Sequence, residues 1–255
     1  MKYLIPFFFT SFFSLSVQAN NKAYDIAKKV DIANTGFFSE TGTMEMILKS
    51  SGKEIKRVME SHSLELNEDE THTLLEFKLP KDVRGTKLLT HSFDSKDDSQ
   101  WIYLSAFRRV KRISSSGKSS SFMGSEFTFE DLRNVSVDKF NYKYLGEEKK
   151  GKDIYWTYEK TPKEKSGYTK QKVTVSQKFT SVVGVVYYDR SGQELKKATF
   201  ENFKQFKYKN KSFWRPSKIH MINVQTLKES IIMWKDRSLG TALGKNLFKR
   251  SSLKK

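Results

Sequence analysis

The chain has 255 residues, with 47 Lys and Arg against 29 Asp and Glu and a formal net charge of +18. It is long enough to bury a sizeable core. It has no cysteine, which excludes disulfides, thiolate metal sites and cysteine catalysis. A positive surplus of this size attracts polyanions over long range, whether nucleic acid, anionic lipid headgroups or acidic proteins.

Lys2 precedes an apolar run, Tyr3 to Val17, that holds five Phe, and Val17-Gln18-Ala19 has the pattern of a leader cleavage site. The run is too short to span a bilayer comfortably. Residues 1–19 are therefore expected to be a cleaved signal peptide and residues 20–255 a single domain exported to a bacterial periplasm. With no cysteine at the cleavage point, no lipid anchor is expected. That compartment and the absence of RNP, zinc-finger or recognition-helix patterns argue against nucleic acid as a partner. An anionic membrane surface fits the charge better.

After the leader, Ala23, Ile26, Ala27 and Val30 recur at helical spacing, which predicts an amphipathic helix from Asn21 to Ala33, ended by Gly36. From there the period becomes two. Thr43 to Leu48 and Ile55 to Leu66 predict a hairpin turned at Ser50-Ser51-Gly52. Leu75, Phe77 and Leu79 alternate with Glu76 and Lys78 in a strand ended by Pro80. Strands follow at Lys87 to Phe93 and from Trp101. Tyr142 to Leu145 and Ile154 to Tyr158 flank a charged turn, Gly146 to Gly151. Thr161 to Lys172 reads as a long charged loop. Phe179 to Tyr188 and Glu194 to Phe203 flank Asp189-Arg190-Ser191-Gly192, a hairpin turn. Trp214 to Val224 and Ser230 to Trp234 end the series before a basic tail from Lys245. The fold expected is mainly β (α+β): one curved antiparallel sheet, strongly twisted or partly closed, with the N-terminal helix and a short helix from Ser125 to Leu132.

The four histidines form no close metal-ligand spacing, and no nucleophile elbow or phosphate-cradling glycine loop is present. The acidic pairs Asp97-Asp98 and Glu130-Asp131 read as capping or surface charge. No metal, cofactor or enzyme activity is expected.

One stretch, Gln100 to Leu132, stands apart. The aromatic strand Trp101-Ile102-Tyr103-Leu104 leads to a basic cluster of Arg108, Arg109, Lys111 and Arg112, then a Ser/Gly segment from Ser114 to Ser121. Phe122, Met123, Phe127 and Phe129 follow around Gly124 and Ser125. Positive charge, flexibility and apolar surface side by side suit an amphiphile. The same features also describe a core strand, a loop and a solvated basic face.

Trp101-Ile102-Tyr103-Leu104, the arginine cluster and the run Ser121-Phe122-Met123-Gly124-Ser125-Glu126-Phe127-Thr128-Phe129-Glu130-Asp131-Leu132 resemble the signature of the LolA-like outer membrane lipoprotein-sorting protein family. That family is similar to the treponemal phospholipid-associating lipoprotein. Ser105 stands where the family commonly has proline. The resemblance implies an incomplete β-barrel whose helices cover a concave apolar face, a periplasmic carrier of lipid or lipoprotein acyl chains, and association with RND-type exporters. A monomer is expected. Trp101, Tyr103, Phe107, Phe122, Met123, Phe127 and Phe129 are then candidate ligand or lid residues, and Arg108, Arg109, Lys111 and Arg112 candidate anionic-headgroup contacts. Two readings stay open: the Phe residues form a mobile lid, or they plug the half-barrel permanently in a docking module for an exporter or envelope regulator.

Overall fold

The computed structural model describes the backbone of residues 13–254 and the side chains from Asn21 onward. The expected leader lies largely outside the described residues. Helix α1 spans Phe13–Asn34. It is followed by β1 (Ser39–Ser50), β2 (Lys53–Glu65), β3 (Glu70–Leu79), β4 (Lys87–Phe93), β5 (Ser99–Leu104) and β6 (Arg109–Arg112). After a connection over residues 113–139 come β7 (Phe140–Lys150), β8 (Asp153–Pro162), β9 (Lys170–Ser176), β10 (Ser181–Tyr188), β11 (Glu194–Tyr208), β12 (Lys211–Asn223), β13 (Glu229–Trp234) and the short β14 (Ser238–Leu239).

All belong to one 14-stranded antiparallel sheet in the order β6-β5-β4-β3-β2-β1-β13-β12-β11-β10-β9-β8-β7, with β14 on β1. The sheet curves but does not close, because its two ends, β6 and β7, are not paired with each other. The chain runs outward from the middle to one edge. It then crosses by residues 113–139 to the other edge and returns strand by strand until β13 meets β1. The connection between the edges therefore has to pass over the concave face.

Alternation decides what faces inward. On β1, Met44, Met46 and Leu48 enter the main core, which also takes Met59, Leu75, Phe77, Ile102, Val173, Val175, Met221 and Ile232. Ala23, Ile26 and Ala27, the predicted apolar stripe of α1, close part of this face. Lys211 from β12 caps the end of α1, its Nζ 2.6 Å from the carbonyls of Ile32 and Thr35. Arg215 donates to Asn34 Oδ1 at 2.6 Å. These cations meet the negative end of the helix, where carbonyls lack intrahelical partners.

Three expectations need correction. The β1–β2 turn is as expected, with Ser51 and Gly52 at φ 48° and 76°, the left-handed pair a two-residue hairpin requires. The expected turn over Gly146 to Gly151, however, is largely strand: β7 runs on to Lys150, and Gly146 marks a bulge. Its charges suit an edge strand, where they discourage pairing with other chains. Second, the expected loop up to Lys172 contains the start of β9, where Gln171, Val173 and Val175 point inward and the alternating lysines outward. Third, the basic tail is not merely solvated. Its two 3-10 turns, Lys245–Phe248 and Arg250–Lys254, bury Phe248 and Leu253 on the convex face against Leu64, Leu74 and Leu89. The sheet is thus covered on both faces near β3 and β4, and β4 is buried almost continuously.

Phe248→Ala and Leu253→Ala are each expected to destabilise the protein by about 2–5 kcal/mol. The effect would appear as a lower urea midpoint at unchanged slope. Midpoints equal to wild type would show that the tail does not belong to the folded unit.

Candidate functional site: the covered concave face

The connection over residues 113–139 makes its apolar contacts through a tight loop. Ser121 and Thr128 form an isolated antiparallel bridge. The Phe122 N–H donates to the Phe127 carbonyl at 2.7 Å, and Ser125 Oγ donates to the Phe122 carbonyl at 2.7 Å. Met123 and Gly124 sit at φ 53° and 76°, a left-handed pair that reverses the chain. Asp131 Oδ2 accepts the Thr128 N–H at 2.7 Å. The helix expected from Ser125 to Leu132 is therefore absent, because reversal and side-chain capping take the backbone groups a helix would use. The reversal drives Phe122, Phe127 and Phe129 into the main core, at 0%, 4% and 8% exposure. Phe122 lies 5.6 Å from both Phe77 and Phe129, centroid to centroid. Met123 is partly buried against the same core.

Polar contacts at a few points hold this plug to the sheet. On the β2 side, Arg57 Nη1 donates to the Met123 carbonyl. On the β12–β13 side, the Glu126 N–H donates to Ser230 Oγ at 2.9 Å, and Asn223 Nδ2 donates to Glu126 Oε2 at 2.8 Å. From β5, Gln100 Nε2 donates to the Phe129 carbonyl at 3.0 Å. The strongest tether comes from β11. Lys196 Nζ lies 2.6 Å from Asp131 Oδ2, with the side chains 2% and 4% exposed, and it also donates to the Glu126 carbonyl at 2.8 Å. Tyr168 donates to Asp131 Oδ1 at 2.9 Å. Burial, together with the charge of Asp131, pushes the phenols of Tyr168 and Tyr187 well above the usual tyrosine range. Both rings flank the Lys196 ammonium, at 5.2 and 5.1 Å.

The acidic pairs read as caps or surface charge are thus mostly buried anchors. Asp98 pairs with Arg133 at 2.8 Å and Lys139 at 3.3 Å, fixing the exit of the connection to the β4–β5 turn. Glu130 accepts the Gly167 N–H at 2.9 Å.

Beneath the plug lies a cavity of about 180 Å³. Met44, Met46, Met59 and Met221 line it with Phe127, Leu132, Phe200, Ile219 and Trp234. Methionine fills irregular space and repacks easily, so this wall can change shape at little cost. The volume is below the roughly 300–1,000 Å³ of ordinary ligand pockets. A larger groove of about 620 Å³ beside the end of α1 has mixed walls, with Asp31, Glu65, Asn67 and Asp69 beside Ile32, Phe38 and Leu66.

The other candidate residues are distributed by strand parity. Trp101 and Tyr103 lie on the convex side with Val110 and the C-terminal tail, apart from Phe122, Phe127 and Phe129. Phe107 is 77% exposed in a 3-10 turn, and Arg108 takes left-handed φ 49° just after it. The rest of the basic cluster lies on edge strand β6 and is split. Arg109 and Lys111 oppose Leu104 and Ile102, whereas Arg112 opposes Trp101. Parity within Trp101-Ile102-Tyr103-Leu104 already carried this signal.

Sequence reasoning missed Lys196, Tyr168 and Lys160. Lys160 shares the concave face with Tyr158 and Trp156 by alternation, and its ammonium lies 4.2 Å over the Phe140 ring. Burial pushes it down to about 8, against the raising effect of Glu130 and Asp131. Lys196 and Arg133 are occupied by carboxylates, whereas Lys160 is in no ion pair among the described residues, and Arg57 meets the plug only through the Met123 carbonyl.

Lys196→Met is expected to cost about 3–5 kcal/mol, because it strands the Asp131 carboxylate in the core. Lys196→Met with Asp131→Asn should recover part of that loss. A double variant no better than the sum of the single variants would mean that the pair is not coupled.

Comparison with known proteins gives this geometry its relatives. A family model described as "Uncharacterized protein"-like matches residues 69–255. A domain from Vibrio parahaemolyticus, provisionally assigned as an outer membrane lipoprotein-sorting protein, is 39% identical. The match covers 92% of this chain and 100% of that one, with a TM-score of 0.87. A DUF1329 family protein from Desulfovibrio piger is 28% identical over 92% of this chain and 99% of that one, with a TM-score of 0.85. A LolA superfamily protein from Nitrosomonas europaea shares the fold at 18% identity and a TM-score of 0.67, covering 90% and 98% of the two chains. No curated protein matched. At 39% identity across the whole Vibrio domain, the chain belongs to the outer membrane lipoprotein-sorting protein family.

Proposed function

We propose that the protein is a non-enzymatic carrier that shields the acyl chain of a lipid or lipoprotein between its concave face and the 121–132 plug. The observation that carries this reading is the methionine-lined cavity of about 180 Å³ beneath the plug. The cavity is apolar and adaptable but smaller than an ordinary ligand site, so loading requires the plug to lift. Each buried methylene contributes roughly 0.8 kcal/mol, which favours uptake. Lifting the plug breaks its polar tethers, which water compensates in part, and withdraws Phe122, Phe127 and Phe129 from the core, where the acyl chain replaces them. In this reading Lys160 meets an anionic headgroup, supported by its position on the concave face beside Phe140, and Arg109 and Lys111 meet an anionic membrane during exchange. The leader-like N-terminus and the family support a periplasmic setting; a monomer that acts alongside an RND-type exporter and moves its cargo toward the outer membrane is part of the same proposal.

The second reading, a docking module without cargo, is favoured by the deep burial of Phe122, Phe127 and Phe129. A reversible lock separates the two. Glu126→Cys with Ser230→Cys in this cysteine-free chain places a disulfide across the plug. The carrier reading expects the oxidised form to lose uptake of a fluorescent fatty acid and the reduced form to regain it. Equal uptake in both forms would overturn the lid, and no uptake in wild type would favour the docking module.

The headgroup assignment predicts a pH dependence. Lys160 carries its charge below about 8 and loses it as pH rises. Affinity for an anionic amphiphile should therefore fall between pH 7 and 9, and Lys160→Met should remove that fall. At the membrane, Arg109→Gln with Lys111→Gln should weaken binding to anionic vesicles more than Arg112→Gln does. Equal effects would assign the cluster to ordinary surface.

A further inference from the structure

On the convex face, far in sequence from the plug, three side chains converge. Glu70 and His72 are two apart on β3, so both point to the same side of the sheet. His91 on β4 is the cross-strand partner of His72. The two imidazoles stack with centroids 3.5 Å apart and planes 8° from parallel. His72 Nε2 lies 2.6 Å from Glu70 Oε1, and His91 Nε2 lies 2.8 Å from the Phe248 carbonyl. One donor atom from each of Glu70, His72 and His91 falls within a 4.8 Å group. Trp101 stands edge-on to His91 at 5.0 Å and Phe248 lies 6.1 Å from His72, so apolar rings wall one side. The other side opens into a cleft of about 590 Å³.

We propose that Glu70, His72 and His91 form a site for a divalent transition-metal ion, Zn²⁺ or one of similar size, at the root of the C-terminal tail. Two imidazoles and one carboxylate are a donor set that Zn²⁺ accepts, with a fourth position left for water or another oxygen. The nitrogens need about 2.0–2.1 Å to the ion, which the parallel rings reach by opening a few tens of degrees about their side-chain torsions. Binding replaces the Glu70–His72 hydrogen bond; His91 either ligates through Nδ1, with its Nε2–H still donated to the Phe248 carbonyl, or ligates through Nε2 and gives that bond up. In either case the ion is coupled to the packing of the tail. The cleft also holds Lys245, Lys249 and Arg250. These cations oppose a bare ion and favour one that carries an anionic fourth ligand.

The test uses the whole chain stripped with chelator, dialysed and titrated with Zn²⁺ by calorimetry. One ion per chain is expected. Affinity should fall in His91→Gln and Glu70→Gln by at least the about 10–100-fold that even an outer-shell change costs. His220→Gln, which removes the separate His220–Glu229 pair at 2.8 Å, should bind as wild type. Co²⁺ added to wild-type protein should give the visible absorption of a four- or five-coordinate site, which keeps the proposal testable if a variant misfolds. No stoichiometric binding in wild type, or binding untouched by both Glu70→Gln and His91→Gln, would overturn it.

Discussion

The buried Lys196–Asp131 pair is the contact on which the rest of the concave face depends. Taking both charges out of water costs several kcal/mol per ion, and only close geometry with further hydrogen bonds repays it. Here those bonds come from the Thr128 amide, Tyr168 and the Glu126 carbonyl, all in the plug or in the segment leading into β9. The pair contributes less as net stability than as position. It selects one seating of the 121–132 loop, and that seating directs three phenylalanines into the core. Without it the loop would keep its apolar attraction and its hydrogen bonds to Arg57, Gln100, Asn223 and Ser230 but lose its buried ion pair to β11.

The need for such a device follows from the open sheet. A curved antiparallel sheet of this length buries its concave side chains only if something crosses them. The chain order makes the edge-to-edge connection the crossing element, and α1 covers what it leaves. Coverage that is covalent only at its two ends can lift without unfolding a strand. A closed barrel filled by its own side chains has no such freedom. The methionine wall continues the same logic, since its side chains repack easily around whatever lies against them.

Much of this was legible in the sequence. Period-two alternation located most strands, and the Ser51-Gly52 and Asp189 to Gly192 turns fixed their hairpins. The run from Ser121 to Leu132 marked the covering segment and the family. What stayed hidden depended on tertiary pairing. Lys196 reads as one more strand lysine until β11 is set opposite Asp131, 65 residues away. The expected helix after Gly124 failed because Met123 and Gly124 reverse the chain and Asp131 caps Thr128. The tail hid its burial because Leu247, Phe248 and Leu253 stand among Lys, Arg and Ser. Trp101 and Tyr103 were grouped with the plug by closeness in sequence, although parity alone sends them to the opposite face. Glu70, His72 and His91 lack a linear metal motif because two strands share the site.

The central claim is that the concave face opens to hold an acyl chain, and native mass spectrometry with lipid extraction tests it most directly. Mature protein purified gently from a bacterial host is predicted to carry a lipid or lipidated peptide at defined stoichiometry, or to take up added phospholipid to that stoichiometry. Bare protein that refuses both phospholipid and lipopeptide would contradict the carrier account and leave the plug as a permanent core.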